Sequence, residues 1–151
     1  MISKHISGKE GTYSRTAERL DINNVPDDDQ LRAMELVAEK VFEPLREWVG
    51  GPIKINSFFR SVKLNKAIGG SHKSQHCHGQ AIDIDDTFGR ATNAEMYNWI
   101  KEHLEFDQMI WEFGDDDNPN WVHISYVSKN ENRNRCLKAY KEQGKSKYMV
   151  I

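Results

Sequence analysis

Ser74-Gln75-His76-Cys77-His78-Gly79-Gln80-Ala81-Ile82-Asp83-Ile84-Asp85 runs from a histidine-rich loop, already begun at His72, into an alternating acidic strand. In an extended chain Ala81, Asp83 and Asp85 share one face and Ile82 and Ile84 the other, so burying the isoleucines aims the carboxylates at a cleft. Trp121-Val122-His123-Ile124-Ser125 repeats the pattern, with Trp121, His123 and Ser125 opposite Val122 and Ile124. Two strands can thus each present a metal ligand. A zinc enzyme needs imidazole and carboxylate donors converging on one point, with a position left open for water. Strand parity does not choose between His76 and His78, or between Asp83 and Asp85, and composition alone leaves a polar surface loop as the alternative.

Outward from this stretch, the flanking elements alternate irregularly. After Pro26, Asp27-Asp28-Asp29 sits where a helix amino terminus attracts negative charge. Leu31, Met34, Val37, Val41, Phe42, Leu45 and Trp48 then recur at three- and four-residue steps, predicting an amphipathic helix. Pro44 should kink or restart it, and Gly50-Gly51 should stop it. Ile53, Ile55 and Ser57 alternate as a short strand, and Gly69-Gly70 closes the piece that follows. A strand is expected at about Gln80 to Asp86 and a helix over Thr92 to Leu104, capped by Thr92 with Glu95 three residues on. Strands near Gln108 to Phe113 and Trp121 to Val127 follow, and a hairpin around Gly144. Helices first and strands later, without a regular βαβ alternation, give an α+β class.

The chain has 151 residues, 38% hydrophobic and 29% charged, which fits a single domain over residues 1–151 with one core. Its net charge of −2 supplies no general affinity for nucleic acid. No apolar run is long enough to insert in a membrane, and Met1 to Gly11 lacks the apolar core of a signal peptide, so synthesis in the cytoplasm is expected. Cys77 and Cys136 are too few and too far apart for a disulfide framework.

The ten residues from Ser74 to Asp83 resemble the Ser-x-His-x-x-Gly-x-Ala-x-Asp signature of the zinc D-alanyl-D-alanine carboxypeptidase and L-alanyl-D-glutamate endopeptidase family, peptidase family M15, whose fold is shared with hedgehog signalling domains. Ser57-Phe58-Phe59-Arg60 looks like the family's Ser-Gly-Tyr-Arg segment, Asn65 follows, and Trp121 to Ser125 looks like its last ligand strand. The likeness covers about Leu36 to Tyr126, and Ser14 to Pro26 more weakly. It implies a small antiparallel sheet carrying the zinc site, with helices packed on one side.

Carried over residue by residue, the resemblance implies one zinc ion held by His76, Asp83 and His123, with Glu112 in Ile110-Trp111-Glu112-Phe113-Gly114 moving protons and Arg60 meeting a substrate carboxylate or the oxyanion. Ser74, Ser57, Asp85 and Trp121 are candidates for holding substrate or supporting the ligands. Gly79 supplies the tight turn between His76 and Asp83. Phe58, where the family has glycine, is expected to narrow the cleft. Many carboxypeptidases of this family carry a histidine two residues before the last ligand; Trp121 stands there instead. The resemblance therefore points to a monomeric endopeptidase of phage-lysin type, acting on the peptidoglycan stem peptide or cross-link after release from the cytoplasm. The alternative is a recognition module that keeps the zinc without catalysis.

Overall fold

The structure, a computed structural model, describes residues 1–151. Helix α3 (Asp28–Val37) begins with a reciprocal cap: the Asp27 carboxylate accepts from the Gln30 amide at 2.7 Å and the Gln30 side chain accepts from the Asp27 amide at 2.8 Å. The chain stays helical through a π turn, Ala38–Phe42, into α4 (Glu43–Val49). Pro44 explains the wide turn. Its ring crowds the carbonyl four residues back and it brings no N–H, so the chain changes to a five-residue step in which the Glu43 amide reaches Ala38. Gly50, at φ +78°, ends the helix in the left-handed region.

Two short helices precede these, α1 (Gly8–Thr12) and α2 (Arg15–Arg19), capped by Ser7 and Ser14. Five residues are too few to show a helical period, so periodicity gave no sign of them. Strand β1 (Lys54–Ser57), helix α5 (Val62–Ala67), a 3₁₀ turn at Gln75–His78 and strand β2 (Ala81–Asp85) follow. Next come α6 (Asn93–His103), with Thr92 and Glu95 forming the expected capping box, then β3 (Gln108–Glu112), β4 (Trp121–Ser125), β5 (Arg135–Glu142) and β6 (Lys145–Val150).

The six strands form one sheet in the order β1-β2-β4-β3-β5-β6. The sheet is larger than expected and mixed, because β5 runs parallel to β3 while every other pair is antiparallel. The cause is local. Arg133 grips the Asp107 carboxylate with Nε at 3.0 Å and Nη2 at 2.8 Å. The Asn134 and Arg135 amides donate to the carbonyls of Phe106 and Asp107. These contacts pin the start of β5 beside the start of β3, so both strands leave from the same end.

One sheet face carries Ile82, Ile84, Met109, Trp111, Val122 and Ile124 into a buried cluster with Met34, Val37, Phe42 and Leu45 below and Met96 and Ile100 of α6. Truncating such a residue to alanine typically costs about 2–5 kcal/mol, so this face fixes the sheet rigidly on its helices. Strand alternation sends Asp83, His123 and Glu112 to the opposite face. Phe58 does not narrow that cleft: its ring is 2% exposed in the helix-side core, and only its carbonyl serves the site.

Gly79 joins the 3₁₀ turn to β2 at φ +72°, and a Cβ there would lie 2.3 Å from the Gln30 carbonyl oxygen. A backbone oxygen on a capped helix cannot step aside. Gly79→Ala should therefore cost about 3 kcal/mol, from left-handed strain and overpacking together. The check is a urea midpoint that falls with an unchanged slope.

Candidate active site

Asp83 and His123 are direct cross-strand partners on β2 and β4, which sets the His123 Nδ1 2.9 Å from Asp83 Oδ1. The 3₁₀ turn delivers His76 from the other side, with Nε2 3.2 Å from Asp83 Oδ2. One donor atom from each of the three lies within 4.8 Å of the others. Around a tetrahedral ion with bonds of about 2.0–2.2 Å, neighbouring donors stand roughly 3.3 Å apart, so the spacing fits a zinc ion.

The protonation pattern points the same way. His76 Nδ1 lies 2.7 Å from the Phe58 carbonyl oxygen, which can only accept, so Nδ1 carries the hydrogen. In the neutral ring Nε2 is then a bare lone pair. It is buried and makes no hydrogen bond, its approach to Asp83 being close but badly angled for one. Burial pushes His76 below the ordinary histidine range, against the pull of Asp83, so the neutral ring prevails. A lone pair facing a carboxylate oxygen is repulsive unless a cation lies between them. For Asp83, burial alone would raise the pKa, but the hydrogen-bonding contact with His123 at 2.9 Å opposes it, and the carboxyl lies well below the usual range.

Arg60 is fixed beside this cluster. Its Nε donates to Ser57 Oγ at 2.9 Å, and its two terminal nitrogens donate to Asn65 Oδ1 and Asp83 Oδ2, both at 3.3 Å. Ser57 thus acts by orienting the guanidinium. The Ser74 hydroxyl accepts from the His76 amide at 3.2 Å and starts the 3₁₀ turn. Glu112, at the end of β3, shares a cavity with the three candidate ligands. Burial pushes its carboxyl up to about 7; Asp83 adds to the rise, while His123 and Arg60 oppose it.

Other candidates lie elsewhere. His78 is exposed. The parity reading assumed an extended chain, whereas residues two apart in a 3₁₀ turn point in very different directions. Asp85 is not in the cleft: it accepts from Asn93 Nδ2 at 2.8 Å and Thr87 Oγ1 at 3.2 Å, tying β2 to the start of α6. One step of two residues along a strand, about 6.6 Å, suffices to carry it past the cluster. Trp121 forms cleft wall, its ring 5.6 Å from that of Phe113. Sequence reading gave no role to the Phe58 carbonyl, since any residue supplies one, nor to Asn65, whose amide bridges Arg60 and the Ser71 carbonyl. It also missed Gln75, whose side chain donates to Asp107 at 2.9 Å and braces the turn carrying His76.

Two cavities meet at the cluster. The larger, about 820 Å³, is lined by His76, His123 and Glu112 and by the β5–β6 side. The smaller, about 420 Å³, is lined by Tyr13, Ser14, Arg15 and Thr16. Both reach Arg60, Asp83 and Trp121. A third cavity, about 280 Å³ beside Phe88 and Lys54, holds no such cluster.

A family model described as Peptidase M15 matches residues 3–125. The chain belongs to the peptidase M15 family. No curated protein matches it. M15 peptidases are zinc-dependent hydrolases, and the His76-Asp83-His123 cluster is this M15 peptidase's candidate zinc site. The matched residues include all three candidate ligands and Glu112; β5 and β6 lie beyond them.

Proposed function

We propose that this M15 peptidase is an endopeptidase that hydrolyses an amide bond in the stem peptide or cross-link of peptidoglycan, acting as a phage- or prophage-type lysin once released from the cytoplasm. The observation that carries the endopeptidase reading is the cleft, which continues on both sides of the candidate zinc site. An enzyme trimming a terminal residue needs room for chain on one side only. Here the 820 Å³ and 420 Å³ cavities flank Asp83, leaving space for substrate before and after the scissile bond. The peptidoglycan assignment is supported by family membership and by the signature from Ser74 to Asp83.

A zinc ion held by His76, Asp83 and His123 would make the attacking water acidic near neutral pH and add positive charge at the developing oxyanion. Glu112, whose carboxyl burial pushes up to about 7 in the metal-free protein, is placed to take a proton from water and return it to the leaving nitrogen. Arg60 has five N–H donors, of which three hold Ser57, Asn65 and Asp83; the remaining two can meet the oxyanion. Trp121 forms part of the wall of both cavities.

Digestion of purified peptidoglycan, read by mass spectrometry, tests the proposal. Soluble fragments should appear, vanish with chelator and return with zinc, and their masses name the bond. Release of free terminal alanine alone would replace the endopeptidase with a carboxypeptidase. No product at any zinc level, with a partner still bound, would favour the recognition module.

A further inference from the structure

We infer that the free edge of β6 pairs with the same edge of a second copy of this chain, antiparallel and centred on Tyr148, so that two six-stranded sheets join into one. The sheet's two edges are unlike. β1 is four residues long, α1 lies beside it, and the Phe59 amide just beyond it donates to the Gly11 carbonyl at 3.0 Å. β6 is six residues long, pairs only with β5 and is exposed throughout. Its Tyr148, Met149 and Val150 are 55%, 48% and 64% exposed. A long, regular, apolar edge is normally shielded by a proline, a bulge or a covering segment. β6 has none of these, and its register with β5 runs unbroken from Val150 opposite Leu137 to Lys145 opposite Glu142.

Backbone direction makes this edge self-complementary. The Gln143-Gly144 turn, with φ of +51° and +76°, is the two-residue kind that fixes the register of a hairpin. The Ile151 amide donates to the Cys136 carbonyl at 3.0 Å, and along an antiparallel strand the backbone groups of successive residues face opposite ways. Lys145, Lys147, Met149 and Ile151 therefore turn theirs towards β5. Ser146, Tyr148 and Val150 turn three N–H and three C=O groups outwards, where they meet no partner.

A two-fold axis through Tyr148 satisfies all of them. Tyr148 exchanges both bonds with its own copy, and Ser146 on each chain does so with Val150 on the other. The lysines then fall opposite apolar residues, Lys147 facing Met149 and Lys145 facing Ile151. Centring the pair on Lys147 would set that lysine against itself, which is destabilising, and centring it on Met149 would leave Ser146 beyond the end of the opposite strand. Such an axis stands perpendicular to the sheet, so both candidate zinc sites face the same side of the pair. Ser146 and Tyr148 line the larger cavity, and the second copy's Tyr148 lengthens that wall. One strand pair is small beside a standard interface, so the dimer forms reversibly with concentration, in place of the monomer that the resemblance implied.

Sedimentation velocity of the full chain, from micromolar to near-millimolar concentration, should show the mass rising from 17.5 kDa towards twice that value. Val150→Pro removes an outward amide that β5 does not use. The dilute chain should keep its melting temperature while the dissociation constant of the dimer rises about tenfold or more. Cysteine cross-linking reads the register. Under mild oxidation Tyr148→Cys should form a covalent dimer about tenfold or more faster than Lys147→Cys or Met149→Cys, because only the residue on the axis meets itself within the span of a disulfide. Cys77 and Cys136 are buried and common to all three variants. A single-chain mass at every concentration, a dimer indifferent to Val150→Pro, or equal cross-linking at the three positions overturns the pairing. Neither measurement involves turnover, so the peptidase reading stands or falls separately.

Discussion

Replacing Glu112 with glutamine should lower kcat by about 10²–10⁴-fold, the usual contribution of a positioned acid-base group, while zinc content and peptide affinity stay near wild type. Glutamine keeps the shape and cannot carry the proton. Peptidoglycan clearance and steady-state kinetics on a fragment peptide provide the measurement; undiminished turnover would remove Glu112 from the mechanism. The wild-type rate should also rise with pH as the carboxylate forms. In the metal-free protein that carboxyl lies at about 7, and a nearby dication favours the ionised form, so the rising limb should sit below that value and be absent from the residual activity of Glu112→Gln.

The same substitution should stabilise the metal-free protein in alkaline solution. A carboxyl raised from 4.5 in the unfolded chain to about 7 in the fold binds more protons when folded. Its favourable contribution is complete below pH 4.5 and is lost as pH rises through 7. At 1.36 kcal/mol per pKa unit, keeping Glu112 ionised in its buried position costs about 3 kcal/mol by pH 8. Glutamine escapes that cost. The melting temperature of Glu112→Gln should therefore exceed that of wild type by roughly 6–12 °C at pH 8, with the gap closing towards pH 5. A gain in stability paired with a loss of turnover is the expected mark of a catalytic group held against its own preference.

The elements with long periods or paired caps were legible in the sequence: α3 from its apolar stripe, α6 from Thr92 and Glu95, β2 and β4 from their alternation. Strand parity also set Asp83 and His123 on one face before any neighbour was known. Parity failed where the chain is not extended. Spacing left His76 and His78 equivalent and only the family resemblance chose His76; the physical reason is the 3₁₀ turn that Ser74 caps and Gly79 closes, which an extended-chain parity argument does not contain. The mixed sheet was hidden for a different reason. The parallel pairing of β5 with β3 depends on Arg133 and Asn134 finding Asp107 and Phe106, contacts between residues 26 and 28 positions apart that no period records. Asp85 shows the opposite limit: it has the right residue type on the right face, yet Asn93 claims it.

Zinc added to the metal-free protein should raise its melting temperature by roughly 5–10 °C at a concentration a hundredfold above the dissociation constant, since such binding contributes about 2.7 kcal/mol. The shift should vanish in His76→Ala, Asp83→Asn and His123→Ala, and survive in His78→Ala and Asp85→Asn. Asp83→Asn is the sharpest of these because the amide keeps the volume and can still meet Arg60 only through its oxygen, while losing the charge on which His76, His123 and a dication all act. His78→Ala answers the question that spacing left open, whether the second histidine of the turn contributes. Ligand nitrogens bind a metal only through a free lone pair, so the zinc-induced shift should weaken as the solution is taken from pH 7.5 to pH 5. A full shift in Asp83→Asn, or its loss in His78→Ala, would mean that the ion sits elsewhere than between the unpaired Nε2 of His76 and the carboxylate it faces.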